Sequence, residues 1–273
     1  MNHIFDKFKL ENRTAIVTGG AGLLGRQFCR TLAQAGANVI IADLFEEPAK
    51  KLEATLREEG LKATICQVNV TDEKSVAQLV AFTLKTYGSV DVLVSSAAMD
   101  PKFDDSQQGQ HTNNFEDYPV SAFRDALDVN LTGMFLCARE AVKPMLEQKR
   151  GSIINICSTY GLVGPDQRLY EREGKPKQFK PVFYSVTKSG VVGFTKYLAA
   201  YYAGTDIRVN ALTPGGVYNN HDEEFNEKYS SRAVMGRMAH QDEMNGGILF
   251  LASDASSYMT GSNLVVDGGW TAW

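Results

Sequence analysis

The stretch Thr14-Ala-Ile-Val-Thr18, continued by Gly19-Gly-Ala-Gly-Leu-Leu-Gly25, decides the fold that this sequence predicts. Its first five residues form a short β-rich run, and a helical pattern extends from the glycines to Ala35. Glycine permits a tight turn between strand and helix and lets the backbone approach a pyrophosphate. The amino-terminal end of the helix offers N–H groups and the favourable end of its dipole. The stretch therefore predicts a dinucleotide-binding βαβ unit.

Apolar runs and helical patterns alternate along the rest of the chain. The runs are continuous, as expected when helices cover both faces of a parallel sheet. This alternation predicts an α/β, Rossmann-like doubly wound fold of about seven parallel strands flanked by helices. The predicted strands are 14–18, 38–42, 63–68, 90–94, 152–156, 207–212 and 263–266. The predicted helices after the first are 48–59, 72–87, 121–148, 186–202 and 241–251.

Composition favours one domain that covers residues 1–273, because no linker rich in Pro, Gly or Ser divides the 273 residues. The net charge is −4 and no basic block stands out, so nucleic acid is not an expected partner. No apolar run approaches the length of a membrane span, and the first residues lack the apolar centre of a secretory signal. The four cysteines lack a Cys-x-x-Cys pair and the histidines lack metal-ligand spacing. A cytoplasmic protein with reduced thiols and no metal site is expected.

Two long polar segments interrupt the alternation, at 99–119 and 164–181, and a third irregular piece covers 214–235. Each follows the carboxyl end of a predicted strand, where open α/β sheets bind ligands. Loops of this length in a compact domain are often functional. We therefore predict that the first two are active-site insertions, with plain surface loops as the alternative.

The stretch Tyr184-Ser-Val-Thr-Lys188 opens an apolar helical run. Residues four apart lie on one face of a helix, so the phenol of Tyr184 and the ammonium of Lys188 can reach one cavity. A nearby cation favours the phenolate and lowers the pKa of a phenol. Tyr184 could then exchange a proton with a substrate oxygen.

Asp43 ends the second predicted strand, 18 residues after Gly25. A carboxylate at this place accepts hydrogen bonds from a ribose diol and repels a 2′-phosphate. The next residue is Leu44 rather than Arg or Lys. The sequence therefore favours NAD over NADP as the cofactor.

Together these motifs resemble the compact single-domain branch of the short-chain dehydrogenase/reductase family, from about residue 10 to residue 273. The further matching pieces are Asn130-Leu-Thr-Gly133, Ser158 after Ile153-Ile-Asn-Ile-Cys157, Asn210-x-x-x-Pro214-Gly215 and Val265-Val-Asp-Gly-Gly269. The resemblance implies hydride transfer between a substrate and a nicotinamide cofactor.

The resemblance also implies the role of each site residue. Tyr184 would be the general acid/base, Lys188 would lower the phenol pKa, and Ser158 would hold the substrate oxygen. Asn130 would position a water that completes a proton relay. The implied cofactor residues are Gly19, Gly22, Leu23, Leu24, Gly25, Asp43, Leu44, Asn69, Val70, Ser96, Ala97, Ala98, Tyr184, Lys188, Pro214, Gly215 and Val217. The predicted substrate contacts are Ser158, Arg168, Tyr184 and Gly216.

The chain departs from the family pattern at several places, which include Asn69-Val70 in place of Asp-Val and the lack of a threonine a few residues after Pro214-Gly215. Leu23 stands where the compact branch has its middle glycine, so the glycine spacing resembles the larger branch that acts on nucleotide sugars. Ser95-Ser96-Ala97-Ala98 replaces Asn-Asn-Ala-Gly. Ser158 and Tyr184 are 26 residues apart, about twice the family spacing. The insertion at 164–181 accounts for this, and we expect it to bulge outward over the mouth of the site.

We therefore predict an NAD-dependent oxidoreductase that interconverts a secondary alcohol and a ketone on a polar or anionic, sugar-like small molecule. Arg168, in the basic insertion, is the predicted anion contact, because a guanidinium binds carboxylate or phosphate through two hydrogen bonds. The narrower hypothesis is carbohydrate metabolism in a surface-sugar, nonulosonic acid pathway. The alternatives are a nucleotide-sugar epimerase or dehydratase that recycles its NAD, and a non-catalytic nucleotide-binding scaffold.

The resemblance further implies a homo-oligomer, a homotetramer or dimer. Its subunits would join through the helices near 131–148 and 186–202 and through the edge of the last strand. Trp270 and Trp273, in the aromatic tail, suit burial in such an interface, although packing within one subunit is the alternative.

Overall fold

The computed structural model describes residues 3–100 and 113–273. Its strands are β1 (Thr14–Thr18), β2 (Asn38–Asp43), β3 (Ala63–Gln67), β4 (Val92–Ser95), β5 (Gly151–Ile156), β6 (Ile207–Pro214) and β7 (Asn263–Val266). All pair in parallel in one sheet, in the order β3-β2-β1-β4-β5-β6-β7. The order reverses between β1 and β4, and such a reversal opens a crevice at the carboxyl ends of the strands. The predicted doubly wound fold is confirmed.

Helices cover both faces of this sheet. They are α1 (Gly25–Gln34), α2 (Glu46–Glu58), α3 (Glu73–Tyr87), α4 (Val120–Leu127), α5 (Gly133–Gln148), α6 (Val182–Tyr201), α7 (Glu223–Ser230) and α8 (Asn245–Ala252). On one face, α1, α2 and α8 bury apolar side chains against the sheet; on the other, α3, α5 and α6 do so. Neighbouring strand residues such as Ile16 and Val17 belong to opposite clusters, because successive side chains point to opposite faces.

The predicted helix at 121–148 is wrong as a single element. It consists of α4, a π-helical segment at Asp128–Thr132 and α5. A π-helical turn widens the helix by inserting one residue into the i→i+4 pattern, and such turns often occur at functional sites. The buried Asn130 lies in this segment.

The piece at 214–235, predicted to be irregular, contains α7. Asp222 caps this helix by accepting a hydrogen bond from the Phe225 amide (2.9 Å), and Glu223 and Glu224 lie in its first turn. An acidic residue at the cap and further carboxylates in the first turn are typical helix-start signals. The sequence therefore carried the information for α7.

The two predicted insertions differ in how far the structure describes them. Residues 101–112 of the first lie outside the described residues. The second is described throughout, and it contains a 3-10 turn at Gln167–Tyr170 with Leu169 and Tyr170 buried. Within the described ranges, none of the helices is long and apolar enough to cross a membrane.

Candidate active site

A cleft of about 1520 Å³ lies at the carboxyl ends of the strands. All of the residues that the sequence predicted to bind the cofactor line this cleft, and so do Ser158 and Gly216. Asn130 and Arg168 do not line it. The fold therefore brings together almost every predicted site residue, from loops that follow six different strands and from α6.

The glycine turn between β1 and α1 forms one end of the cleft. Gly19 has a positive φ of +62°, and a Cβ there would lie 2.8 Å from the Cα of Ala97. A Cβ on Gly25 would lie 2.0 Å from the carbonyl oxygen of Gly19. Leu24, at the N-cap of α1, makes no side-chain capping hydrogen bond. The turn therefore presents bare backbone and a helix N-terminus, which suits a pyrophosphate.

Asp43 lies at the end of β2 beside this turn. Its carboxylate accepts hydrogen bonds from the backbone amides of Ala21 (2.9 Å) and Phe45 (3.1 Å). Both bonds fix the orientation of the carboxylate at the wall of the cleft. A fixed carboxylate at this place can accept further hydrogen bonds from the hydroxyl groups of a ribose.

Thr18 is a site residue that the sequence reasoning missed. Its buried hydroxyl accepts hydrogen bonds from the amides of Ser96 (3.2 Å) and Ala97 (3.3 Å). The hydroxyl thereby ties the loop after β4 to the glycine turn, across the floor of the cleft. The signal was available, because Thr18 is a polar residue that follows three apolar residues and directly precedes the glycines.

Ser158, Tyr184 and Lys188 meet at the centre of the cleft. All three side chains line it, and the Ser158 hydroxyl lies near enough to the Tyr184 phenol to act on its pKa. The Nζ atom of Lys188 lies 5.8 Å from the centroid of the Tyr184 ring and donates a hydrogen bond to the carbonyl oxygen of Ile156 (2.9 Å). Ser158 follows β5 and the other two lie on α6, so packing of α6 against the end of β5 builds the set.

The electrostatics of Tyr184 differ from the expectation. Burial raises the pKa of its phenol well above the usual range, the Asp100 carboxylate raises it further, and the hydrogen bond from Ser158 acts in the opposite direction. Burial also lowers the pKa of Lys188. Desolvation is therefore the largest effect on the phenol pKa in the chain alone, and the predicted lowering of that pKa by Lys188 stays a prediction.

Asn130 connects two walls of the cleft. Its Oδ1 accepts a hydrogen bond from the Met99 amide (2.7 Å), and its Nδ2 donates to the Met99 carbonyl (3.2 Å) and to the Thr187 hydroxyl (3.2 Å). The side chain thus holds the segment after β4 against α6. Its predicted role in a water relay stays a prediction.

The insertion at 164–181 packs against α7 rather than bulging freely outward. Arg172 donates to the carbonyls of Leu169 and Glu171 (both 2.9 Å) and pairs with Asp222 at the start of α7 (2.8 Å). Lys228 of α7 donates to the Glu171 carbonyl (2.8 Å). Insertion and helix therefore form one wall of the cleft, which we call the insertion–α7 wall.

Arg168 is placed where it cannot act as the predicted anion contact of the cleft. Its guanidinium pairs with Asp166 through two hydrogen bonds (2.8 and 2.7 Å), and its side chain is 78% exposed. Arg232 binds the same carboxylate (2.6 Å), and Arg168 is the first cause of the lowering of the Asp166 pKa to about 2. Arg172, Lys175 and Lys180 of the same insertion do line the cleft.

An aromatic cluster lies behind the Tyr184 phenol. Tyr160 meets Tyr184 edge to face at 6.3 Å and Trp270 at 5.6 Å, and Tyr229 stacks on Trp270 at 5.5 Å. Trp270 therefore packs within its own subunit. Trp273 is exposed and donates a hydrogen bond to the Arg232 carbonyl (2.9 Å).

Comparisons with known proteins agree with this arrangement. A family model described as "Enoyl-(Acyl carrier protein) reductase" matches residues 20–271. The chain is similar to two enzymes of Sinomonas cyclohexanicum. It is 35% identical to a cis-4-hydroxycyclohexanecarboxylate dehydrogenase (95% of this chain, 97% of the relative) and 34% identical to the trans-4-hydroxycyclohexanecarboxylate dehydrogenase (100% and 97%).

Two solved structures share the fold with a TM-score of 0.86 and 29% identity each. One is a short-chain type dehydrogenase/reductase from Mycobacterium marinum, which matches over the full length of both chains. The other is a gluconate 5-dehydrogenase from Burkholderia cenocepacia J2315 in complex with NADP and tartrate, with 99% of this chain and 100% of that chain covered.

Proposed function

Since the chain belongs to the short-chain dehydrogenase/reductase family, we propose that it is an NAD-dependent dehydrogenase that interconverts a secondary alcohol and a ketone on a compact anionic molecule, a hydroxylated ring or a sugar acid. One observation carries the proposal. Ser158, Tyr184 and Lys188 line one cleft, and Tyr184 and Lys188 lie one helical turn apart on α6. This is an arrangement for moving a proton to or from one substrate oxygen.

The chemistry follows from these three residues. In the oxidation direction the phenolate of Tyr184 accepts the hydroxyl proton of the substrate, while the Ser158 hydroxyl holds the same oxygen. The Lys188 ammonium favours the phenolate and opposes the effect of burial. Bound NAD would supply the acceptor for the hydride that leaves the carbinol carbon.

The cofactor site is proposed from the turn and from Asp43. The bare backbone at Gly19 and Gly25 and the uncapped start of α1 suit the pyrophosphate. The oriented carboxylate of Asp43 suits the hydroxyls of the adenosine ribose and disfavours a 2′-phosphate. The similar gluconate 5-dehydrogenase holds NADP, so the preference for NAD is an inference from Asp43.

The substrate class is supported by the similar enzymes and by the insertion–α7 wall. The 4-hydroxycyclohexanecarboxylates and gluconate, which the names of those enzymes give, each combine hydroxyl and carboxylate groups. The cleft offers the aromatic faces of Tyr160, Tyr170 and Tyr229 together with cationic side chains from the insertion. The narrower hypothesis of a nonulosonic acid pathway stays a prediction.

A panel assay tests the proposal. Purified protein with NAD or NADP is offered cis- and trans-4-hydroxycyclohexanecarboxylate, gluconate and cyclohexanol, and NADH or NADPH absorbance is followed. We expect turnover with NAD on a carboxylated alcohol, little on cyclohexanol, and a loss of at least about 10²-fold in Tyr184→Phe with the Kd for NAD unchanged. Full turnover by Tyr184→Phe would refute the assignment of Tyr184 as the general acid/base.

The glycine spacing 19, 22, 25 favours the alternative, a nucleotide-sugar epimerase or dehydratase. That enzyme would retain its NAD through purification and release no NADH. A non-catalytic scaffold would bind NAD and turn over none of the panel, with wild type and Tyr184→Phe indistinguishable.

A further inference from the structure

We propose that Lys180, a residue of the insertion, is a positioning residue for the catalytic phenol. Its ammonium, held by Asp100 against the ring of Tyr184, stabilises the phenolate together with Lys188. The inference rests on the proposed function, in which Tyr184 is the general acid/base.

The distances place Lys180 nearer to the phenol ring than Lys188. The Nζ atom of Lys180 lies 4.0 Å from the centroid of the Tyr184 ring, against 5.8 Å for Lys188. A cation over an aromatic face is attracted by the electrons of the ring. The attraction increases when the ring carries the negative charge of a phenolate. Two ammonium groups therefore act on one phenol.

Contacts of both the side chain and the backbone fix the position of Lys180. Its ammonium pairs with Asp100 (2.5 Å), and its backbone amide donates to the Gln167 side chain (2.9 Å), at the start of the 3-10 turn in the insertion. Its side chain is 10% exposed. A charge that is held in place and largely removed from water acts more strongly on its neighbour than a mobile surface charge.

Asp100 and Lys180 influence Tyr184 with opposite signs. The groups that face the phenol from the surrounding elements are Asp100, Cys157, Ser158, Tyr160, Lys180 and Lys188. Asp100 raises the pKa of the Tyr184 phenol, after burial, which is the larger cause. Loss of Lys180 removes a cation and disfavours the phenolate, whereas loss of the Asp100 charge removes an anion and favours it.

Two readouts on the NAD-saturated protein test this inference. The first is the pH profile of kcat/KM for oxidation of cis-4-hydroxycyclohexanecarboxylate, or of another alcohol from the panel that wild type turns over. The second needs no turnover. It is the titration of the Tyr184 signal in protein labelled with [ζ-¹³C]tyrosine, identified by its absence in Tyr184→Phe.

Lys180→Met should raise the apparent pKa in both readouts by about one pH unit, with a loss in kcat/KM of about tenfold below that pKa. Lys180→Arg should restore most of the wild-type value. Lys177→Met is the matched control. That lysine, in the same insertion, pairs with Glu171 (2.8 Å) and does not line the cleft, so we expect no shift.

Three results would overturn the inference. These are an unchanged pKa in Lys180→Met, an equal shift in Lys177→Met, or a change in KM without a shift in pKa, which would make Lys180 a substrate contact instead. If no panel alcohol is oxidised by wild type, the proposed function fails, while the tyrosine titration still decides the influence of Lys180 on Tyr184.

Discussion

The Asp43 carboxylate accepts a hydrogen bond from the backbone amide of Ala21, 2.9 Å away, and so joins the end of β2 to the glycine turn. Asp43, which is proposed to bind the ribose hydroxyls, is therefore oriented by the glycine turn, which is proposed to bind the pyrophosphate. Asp43→Asn keeps an acceptor and nearly the same volume but removes the charge. We expect the ratio of kcat/KM for NADP over NAD to rise at least about tenfold, because repulsion of a 2′-phosphate is lost.

The control for this variant is Asp72→Asn. Asp72 also accepts a backbone hydrogen bond, from Lys74 (2.8 Å) at the start of α3, and it does not line the cleft. Steady-state kinetics with both cofactors should show no change in preference. An unchanged ratio in Asp43→Asn would mean that the carboxylate does not select the cofactor.

Gly25→Ala should abolish NAD binding. A Cβ at this position would lie 2.0 Å from the Gly19 carbonyl oxygen, so the turn must deform. Gly246→Ala, in α8, is the control, because a Cβ there meets nothing within 4 Å. Removing a helical glycine should stabilise that variant by about 0.5–1 kcal/mol. Calorimetric titration with NAD and urea unfolding measure the two effects, and tight NAD binding by Gly25→Ala would contradict the proposed site.

Thr18→Val should destabilise the fold by about 1–3 kcal/mol and weaken NAD binding. The change keeps the shape of the side chain but leaves the amides of Ser96 and Ala97 without the acceptor they use. Thr83→Val is the control. The Thr83 hydroxyl is also buried but donates to the carbonyl of Leu79 within α3 (2.7 Å), so its loss leaves no donor unpaired. Equal losses in the free energy of unfolding for both variants would rule out this account of Thr18.

Arg172→Ala should loosen the insertion–α7 wall. The guanidinium joins two carbonyls of the insertion to Asp222. We expect KM for the alcohol to rise more than about fivefold, corresponding to roughly 1 kcal/mol for the lost ion pair, and the segment 164–181 to become sensitive to trypsin. Arg168→Ala is the control and should change neither quantity, because Asp166 remains paired with Arg232 in that variant.

Homo-oligomer formation is proposed through the exposed faces of α5 and α6. Tyr197 and Tyr201 stack on each other at 6.0 Å while 63% and 67% exposed, and Phe135 of α5 is 44% exposed. Exposed aromatic groups of this kind mark interaction surfaces. The double change of Tyr197 and Tyr201 to Glu should reduce the assembly to monomers in analytical ultracentrifugation, and a monomeric wild type would refute the proposal.

The sheet was predictable because buried parallel strands are continuous apolar runs, and the runs at 14–18 and 263–266 match β1 and β7 without a shift. The meeting of Tyr184 and Lys188 was predictable from helix periodicity alone. Ser158 could be placed only through the resemblance, since no local pattern says which strand end will face α6.

Other features depend on packing that local sequence does not encode. The side chain of Asn130, in the π-helical segment, bonds to Met99 and Thr187, which are distant from it in the chain. The prediction that Arg168 contacts the substrate was wrong, because the sequence of a loop does not show which way a charged side chain points. The Arg168 guanidinium instead pairs with the neighbouring Asp166. The raised pKa of Tyr184 follows from burial, which only the assembled fold determines.

The insertion–α7 wall has a consequence for how this chain can evolve. The groups proposed to move the proton lie at the carboxyl ends of the strands and on α6, whereas the wall consists of the insertion and α7, which contact each other. Exchanging those pieces between homologues would therefore change the substrate preference while leaving Ser158, Tyr184 and Lys188 in place.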